Sequence, residues 1–175
     1  MAIEFDIQKS TKINGVYILT PSVGEDERGN IWTSFIAGDV HNLVTDKVHF
    51  KHNKFSKSKK NVLRGIHGDT KSWKLVTAVY GKMQQVVVDM REESPTYLQW
   101  EEFIIDSDKP QLVLIPPRLG NAYYNMGDDL VYHYSLAYDG DYIDADEQFS
   151  VKWNDERIGI KWRCDGEPIL SGRDK

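Results

Sequence analysis

A chain of 175 residues with 40% hydrophobic and 28% charged side chains can bury a core without disulfides or a structural metal, so one domain over residues 1–175 is expected. Its formal net charge of -5 excludes nonspecific attraction to nucleic acid, which needs an excess of Lys and Arg facing phosphates, so an anionic ligand has to meet a local basic patch. The lone Cys164 excludes an intramolecular disulfide, the opening MAIEFDIQKS lacks a basic and apolar leader, and no apolar run nears the ~20 residues that span a bilayer, so a cytoplasmic protein with no membrane partner is expected.

Short runs rich in Val, Ile, Thr and aromatics, separated by Gly, Pro, Asp and Asn, predict strands separated by turns. In chain order they are Gly15 to Leu19, Ile31 to Phe35, a strand within Ser56 to Asp69, Lys74 to Tyr80, Met83 to Met90, Gln99 to Ile105, Gln111 to Ile115 and Leu130 to Leu136. Gly81-Lys82 reads as the tight connection of a hairpin between the fourth and fifth of these. Helical periodicity is weak throughout; His41 to Asp46 is expected to form one helical turn and the C-terminal segment another. An all-β jelly roll or double-sheet barrel with short peripheral helices follows, with the barrel mouth as the place for a ligand.

The chain has no G-x-G-x-x-G after a strand and no G-x-x-x-x-G-K-[ST], so neither nicotinamide nor P-loop chemistry has support. A metal in the barrel would need converging His, Asp or Glu, yet Gly68 and Asp69 follow His67, and the run IPPRLGNAYYN offers Asn121 instead of a histidine. The segment SKSKKNVLRGIHGD gathers Lys57, Lys59, Lys60, Arg64 and His67; alone, such a run reads as a solvated face around a structural histidine. On the VYHYSLAY strand Tyr132 and Tyr134 share a face and His133 points away, so either tyrosine can fill the barrel.

That segment, with KLV at Lys74, VVVDMREESPTYLQW at Val86 to Trp100, QLVLIPP at Gln111 to Pro117, WNDERIGIKW at Trp153 to Trp162 and ILSGRD at Ile169 to Asp174, resembles the dTDP-4-dehydrorhamnose 3,5-epimerase family over Asp26 to Asp174. The resemblance implies a cupin-type jelly roll, a homodimer, a small-molecule nucleotide-sugar substrate, and neither metal nor cofactor. The family's substrates carry a ketone at C4, which acidifies the hydrogens at C3 and C5; inversion then needs a base on one face of the sugar and an acid on the other. By resemblance His67 is the base, Asp174 the carboxylate that orients it, Tyr134 the acid and Lys74 the cation near the enolate oxygen. Arg64 in LRG and Arg28 in the turn DERG match phosphate and sugar contacts, and the DERG turn serves the nucleotide of the neighbouring subunit.

The chain departs from the family pattern at several of these places. Asn121 stands where IPxGFAHGF has its histidine; Ile31 and Thr33 replace Phe and Glu near the base-binding turn; His52 and Lys54 replace Gln and Asn; and Tyr138 or Tyr142 matches a second tyrosine. Lys54, His52, Asn121 and Tyr138 are therefore taken as substrate contacts fitted to another nucleotide sugar. RGIHGD, PPRLGNAYY and the extended tyrosine segment resemble the branch acting on GDP-4-keto-heptoses of bacterial capsule biosynthesis, at C3 alone or at C3 and C5. A dTDP-4-keto-6-deoxyhexose 3,5-epimerase, a 3,4-ketoisomerase and a catalytically silent sugar-binding cupin are the alternatives.

Overall fold

The computed structural model describes residues 3–175. One antiparallel sheet runs in the order β1 (Phe5–Lys9), β2 (Tyr17–Pro21), β10 (Leu112–Ile115), β7 (Trp73–Tyr80), β12 (Asp129–Tyr138), β5 (His49–Lys59). A second runs β13 (Phe149–Ser150), β6 (Leu63–Gly68), β11 (Leu119–Asn125), β8 (Lys82–Asp89), β9 (Trp100–Asp106). The strands β3 (Val23–Asp26) and β4 (Gly29–Trp32) pair separately as a two-stranded ribbon. This is the expected jelly roll.

The period-2 alternation of strands sorts each apolar run between layers. In β8, Met83 and Val87 face the core between the sheets, packed with Val76, Val113, Leu130 and Tyr132 of the first sheet. Val86 and Val88 face the other way, against Ile66, Ala122 and Ile158. The outer face of the first sheet is covered by a separate cluster that includes Val40 of the helix α1 (Ala37–His41).

Three local expectations differ from the structure. The Gly81-Lys82 hairpin does not form: β7 pairs with β10 and β12, whereas β8 pairs with β11 and β9, so the chain crosses from one sheet to the other at Gly81. Gly81 has φ +85°, and a Cβ there would lie 2.3 Å from the Asp129 carbonyl oxygen, so the residue serves a corner where two layers meet. The expected helical turn at His41 to Asp46 lies earlier, at Ala37–His41, and among the described residues the only helical turn beyond it is the 3-10 turn Ala145–Glu147. The C-terminal segment packs instead as extended chain and turns, with Trp162 Nε1 donating to the Trp153 carbonyl at 2.7 Å. Among the described residues no helix is long and apolar enough to cross a membrane.

Candidate active site

The inward face of β5 is polar where a barrel strand is ordinarily apolar. Lys54, Ser56 and Ser58 point inward in alternation, while Phe55 is 65% exposed on the opposite face. Across the barrel, β6 carries Arg64 and His67. It lies close against β11 because position 65 is glycine: at φ +116°, a Cβ would sit 2.5 Å from that of Ala122. The close approach sets His67 opposite Asn121 in the ladder. Between these walls opens a cavity of about 330 Å³, closed on one side by the 145–148 turn and on another by the C-terminal residues 171–174.

His67 and Tyr134 line this same cavity, with Lys74, Asp174, Arg64, Lys54 and Asn121. His67 Nε2 lies 2.6 Å from Asp174 Oδ1, and Ser171 Oγ donates to Asp174 Oδ2 at 2.8 Å. Burial pushes the Asp174 carboxyl up, but the hydrogen bonds from His67 and Ser171 outweigh it and hold the group below the usual carboxylate range. With Asp174 ionised, the hydrogen on the His67 ring belongs on Nε2, which leaves Nδ1 as the nitrogen able to take a proton.

Lys74 on β7 is buried, its Nζ 3.3 Å from Asp69 Oδ2, while Asp69 Oδ1 accepts from the backbone of Lys71 and Ser72. Burial lowers the Lys74 pKa and the Asp69 carboxylate opposes that shift. Burial likewise raises the Tyr134 phenol, against a lowering influence from the Lys54 charge.

Of the two tyrosines on the inward face of β12, Tyr132 is the one fixed in the wall. It is 2% exposed, stacks on Tyr123 with ring centroids 4.3 Å apart, and accepts from Asn121 Nδ2 at 3.1 Å. Asn121 is itself held by Gln85, whose Nε2 donates to its Oδ1 at 2.6 Å. Tyr123 shares its hydroxyl with Ser56 at 2.8 Å and Ser58 at 3.0 Å, and Ser58 accepts from Arg64 Nε at 3.1 Å. Arg64 is thus anchored through Nε on the cavity wall. His133 points to the opposite face of the sheet, where it meets Asn53 and Phe55.

Three expected contacts lie elsewhere. His52 Nδ1 and the Tyr138 hydroxyl are 3.0 Å apart and outside the cavity lining, whereas Tyr142 is part of that lining. Arg28 sits on the exposed β3–β4 turn, 2.5 Å from Asp26 and away from the cavity of its own chain. The cavity adds Asp144, Gln148 and Arg173, which the motif reading did not single out. Arg173 stood inside the quoted ILSGRD, whereas Asp144 and Gln148 come from an irregular segment with no pattern to mark them. Among the described residues no group of three or more His, Cys, Asp or Glu is arranged to hold a metal ion.

Comparison with known proteins bears on this geometry. The sequence model of the family dTDP-4-dehydrorhamnose 3,5-epimerase matches residues 10–175. The dTDP-4-dehydrorhamnose 3,5-epimerase of Salmonella typhimurium is 35% identical over 167 residues, covering 94% of this chain and 90% of that protein. Among solved structures, the epimerase RmlC of Legionella pneumophila in complex with dTDP-4-keto-L-rhamnose superposes with a TM-score of 0.89 at 29% identity, covering 98% of this chain and 90% of the other. ChmJ, a 3'-monoepimerase from Streptomyces bikiniensis in complex with dTDP-quinovose, gives 0.85 at 28% identity, covering 95% and 84%.

Proposed function

This chain belongs to the dTDP-4-dehydrorhamnose 3,5-epimerase family, and on that basis we propose that it is the epimerase of a dTDP-linked 4-keto-6-deoxyhexose. It is an isomerase acting on a nucleotide sugar. In the proposed reaction His67, held by Asp174, removes the hydrogen at C3 or C5. Lys74 faces the C4 oxygen on which the negative charge develops, and Tyr134 returns a proton from the opposite face. Arg64 holds the diphosphate side of the substrate. The observation that carries this reading is the hydrogen-bonded His67–Asp174 pair on the same cavity as Tyr134.

The dTDP nucleotide is favoured because the compared epimerases and their bound ligands carry it by name. A GDP-linked 4-keto-heptose is the second reading, resting on the departures from the family pattern at His52, Lys54 and Asn121, of which Lys54 and Asn121 line the cavity. The protein is proposed to act as a homodimer in the cytoplasm. Arg28 faces away from its own cavity, where it can serve a partner's nucleotide, and Ile31, Phe55 and Tyr80 are each more than 60% exposed, apolar area that a second subunit would cover.

The test is a panel of dTDP- and GDP-linked 4-keto sugars in deuterated water followed by NMR. Deuterium at C3, C5 or both, with inversion and with kcat/KM at least about tenfold higher for the dTDP sugar, is expected. Preference for the GDP-heptose would overturn the nucleotide assignment. A 3-keto product would make the protein a ketoisomerase, and binding without exchange would make it a silent cupin.

A further inference from the structure

Lys54 is a charged residue of the cavity that the proposed reaction does not use. It stands directly across the β5–β12 ladder from Tyr134, the two being Cα partners, and both side chains line the cavity. Its Nζ is not free to roam: it donates to the Tyr142 hydroxyl at 2.9 Å and lies 4.3 Å from the centroid of that ring. A cation is therefore fixed on the strand position opposite Tyr134, in the cavity that both side chains line.

We propose that Lys54 is a positioning residue for proton return, its ammonium stabilising the phenolate left when Tyr134 protonates the sugar. In that step the O–H bond of Tyr134 breaks, the enolate's electron pair takes the proton to form the new C–H bond, and the C4 carbonyl is restored. The phenolate and the protonated His67 then return to their resting forms by proton exchange with water. The inference rests on the proposed acid role of Tyr134.

The electrostatics run in the required direction. Burial alone raises the Tyr134 phenol, making it a poorer acid, and Lys54 is the largest opposing influence. Burial pulls Lys54 down, but the hydrogen bond to Tyr142 and the interactions with Tyr142, Tyr134 and Asp144 more than offset it, so the ammonium stays charged. The other ionisable groups on the same cavity are Arg64 and His67 from β6, Lys74 from β7, Tyr123 from β11 and Tyr132 from β12. Arg173 and Asp174 close it from the C-terminal end. Arg64 also favours the phenolate, ranking behind Lys54, while Tyr142 and Tyr123 oppose it.

The test begins without substrate. In protein labelled with ¹³C at the tyrosine ring carbons, the Tyr134 resonance, identified by its absence in Tyr134→Phe, is titrated in the native chain and in Lys54→Met. The Tyr134 midpoint is expected to rise by about one pH unit in Lys54→Met and to return in Lys54→Arg. With the 4-keto sugar in deuterated water, Lys54→Met should lose up to about tenfold in inversion through kcat. Exchange with retained configuration, which needs only His67, should persist. An unchanged Tyr134 midpoint, or a loss confined to KM, overturns the proposal. A native chain that inverts nothing sinks the epimerase reading instead, and the substrate-free titration still decides what Lys54 does to Tyr134.

Discussion

His67→Asn is expected to lower kcat by about 10²–10⁴-fold, the usual contribution of a positioned general base. The variant keeps a polar side chain that can hydrogen-bond but cannot accept a proton near neutral pH. The cost to the fold is expected to be small, because His67 is partly exposed and Asp174 retains its bond to Ser171. Equal circular dichroism and a lost NMR exchange signal at C3 and C5 are the joint signature. Full activity in this variant would remove the base from the account.

Lys74→Met should cost about 10²–10³-fold in kcat, the scale seen when one preorganised stabiliser of a developing oxyanion is removed. Here stability and chemistry must be separated. Lys74 and Asp69 are both buried, with 3.3 Å between Nζ and Oδ2, and removing one partner of a buried pair typically costs 3–5 kcal/mol. The companion variant Lys74→Met with Asp69→Asn removes the stranded carboxylate. Urea unfolding should show it more stable than the single variant, while steady-state turnover stays as low. Recovery of turnover together with stability would make Lys74 a structural residue only.

How much of this was legible before the structure varies by element, for physical reasons. The apolar β-branched runs gave β7, β8, β9, β10 and β12 to within a residue or two, because buried strands announce themselves by composition. β5 stayed hidden: HFKHNKFSKSK has the alternation of a strand, but its inward residues are polar because they form a ligand cavity. The Gly81 corner reads as a hairpin in sequence because a glycine between two strands signals a sharp turn and says nothing about which sheet each strand joins.

In the site, His67 and Asp174 are 107 residues apart, and no local pattern pairs them; the family resemblance did, and the structure sets them 2.6 Å apart. The same resemblance leaves Tyr138 and Tyr142 open as the second tyrosine; the irregular chain after β12 brings Tyr142, and not Tyr138, to the cavity wall. Asn121, a departure from the family pattern and an expected substrate contact, sits between Gln85 and Tyr132 as a fixed, non-titrating amide on the wall.

The proposed reaction needs two proton-handling groups on opposite faces of one sugar, a demand that a single measurement meets. Tyr134→Phe is mixed with the 4-keto sugar in deuterated water, and deuterium content and configuration at C3 and C5 are followed together by NMR. Deuterium should still enter through His67 with configuration retained, while inversion falls by at least about 10²-fold. Inversion at the native rate in this variant, or the disappearance of exchange along with inversion, would contradict the division of labour between the two residues.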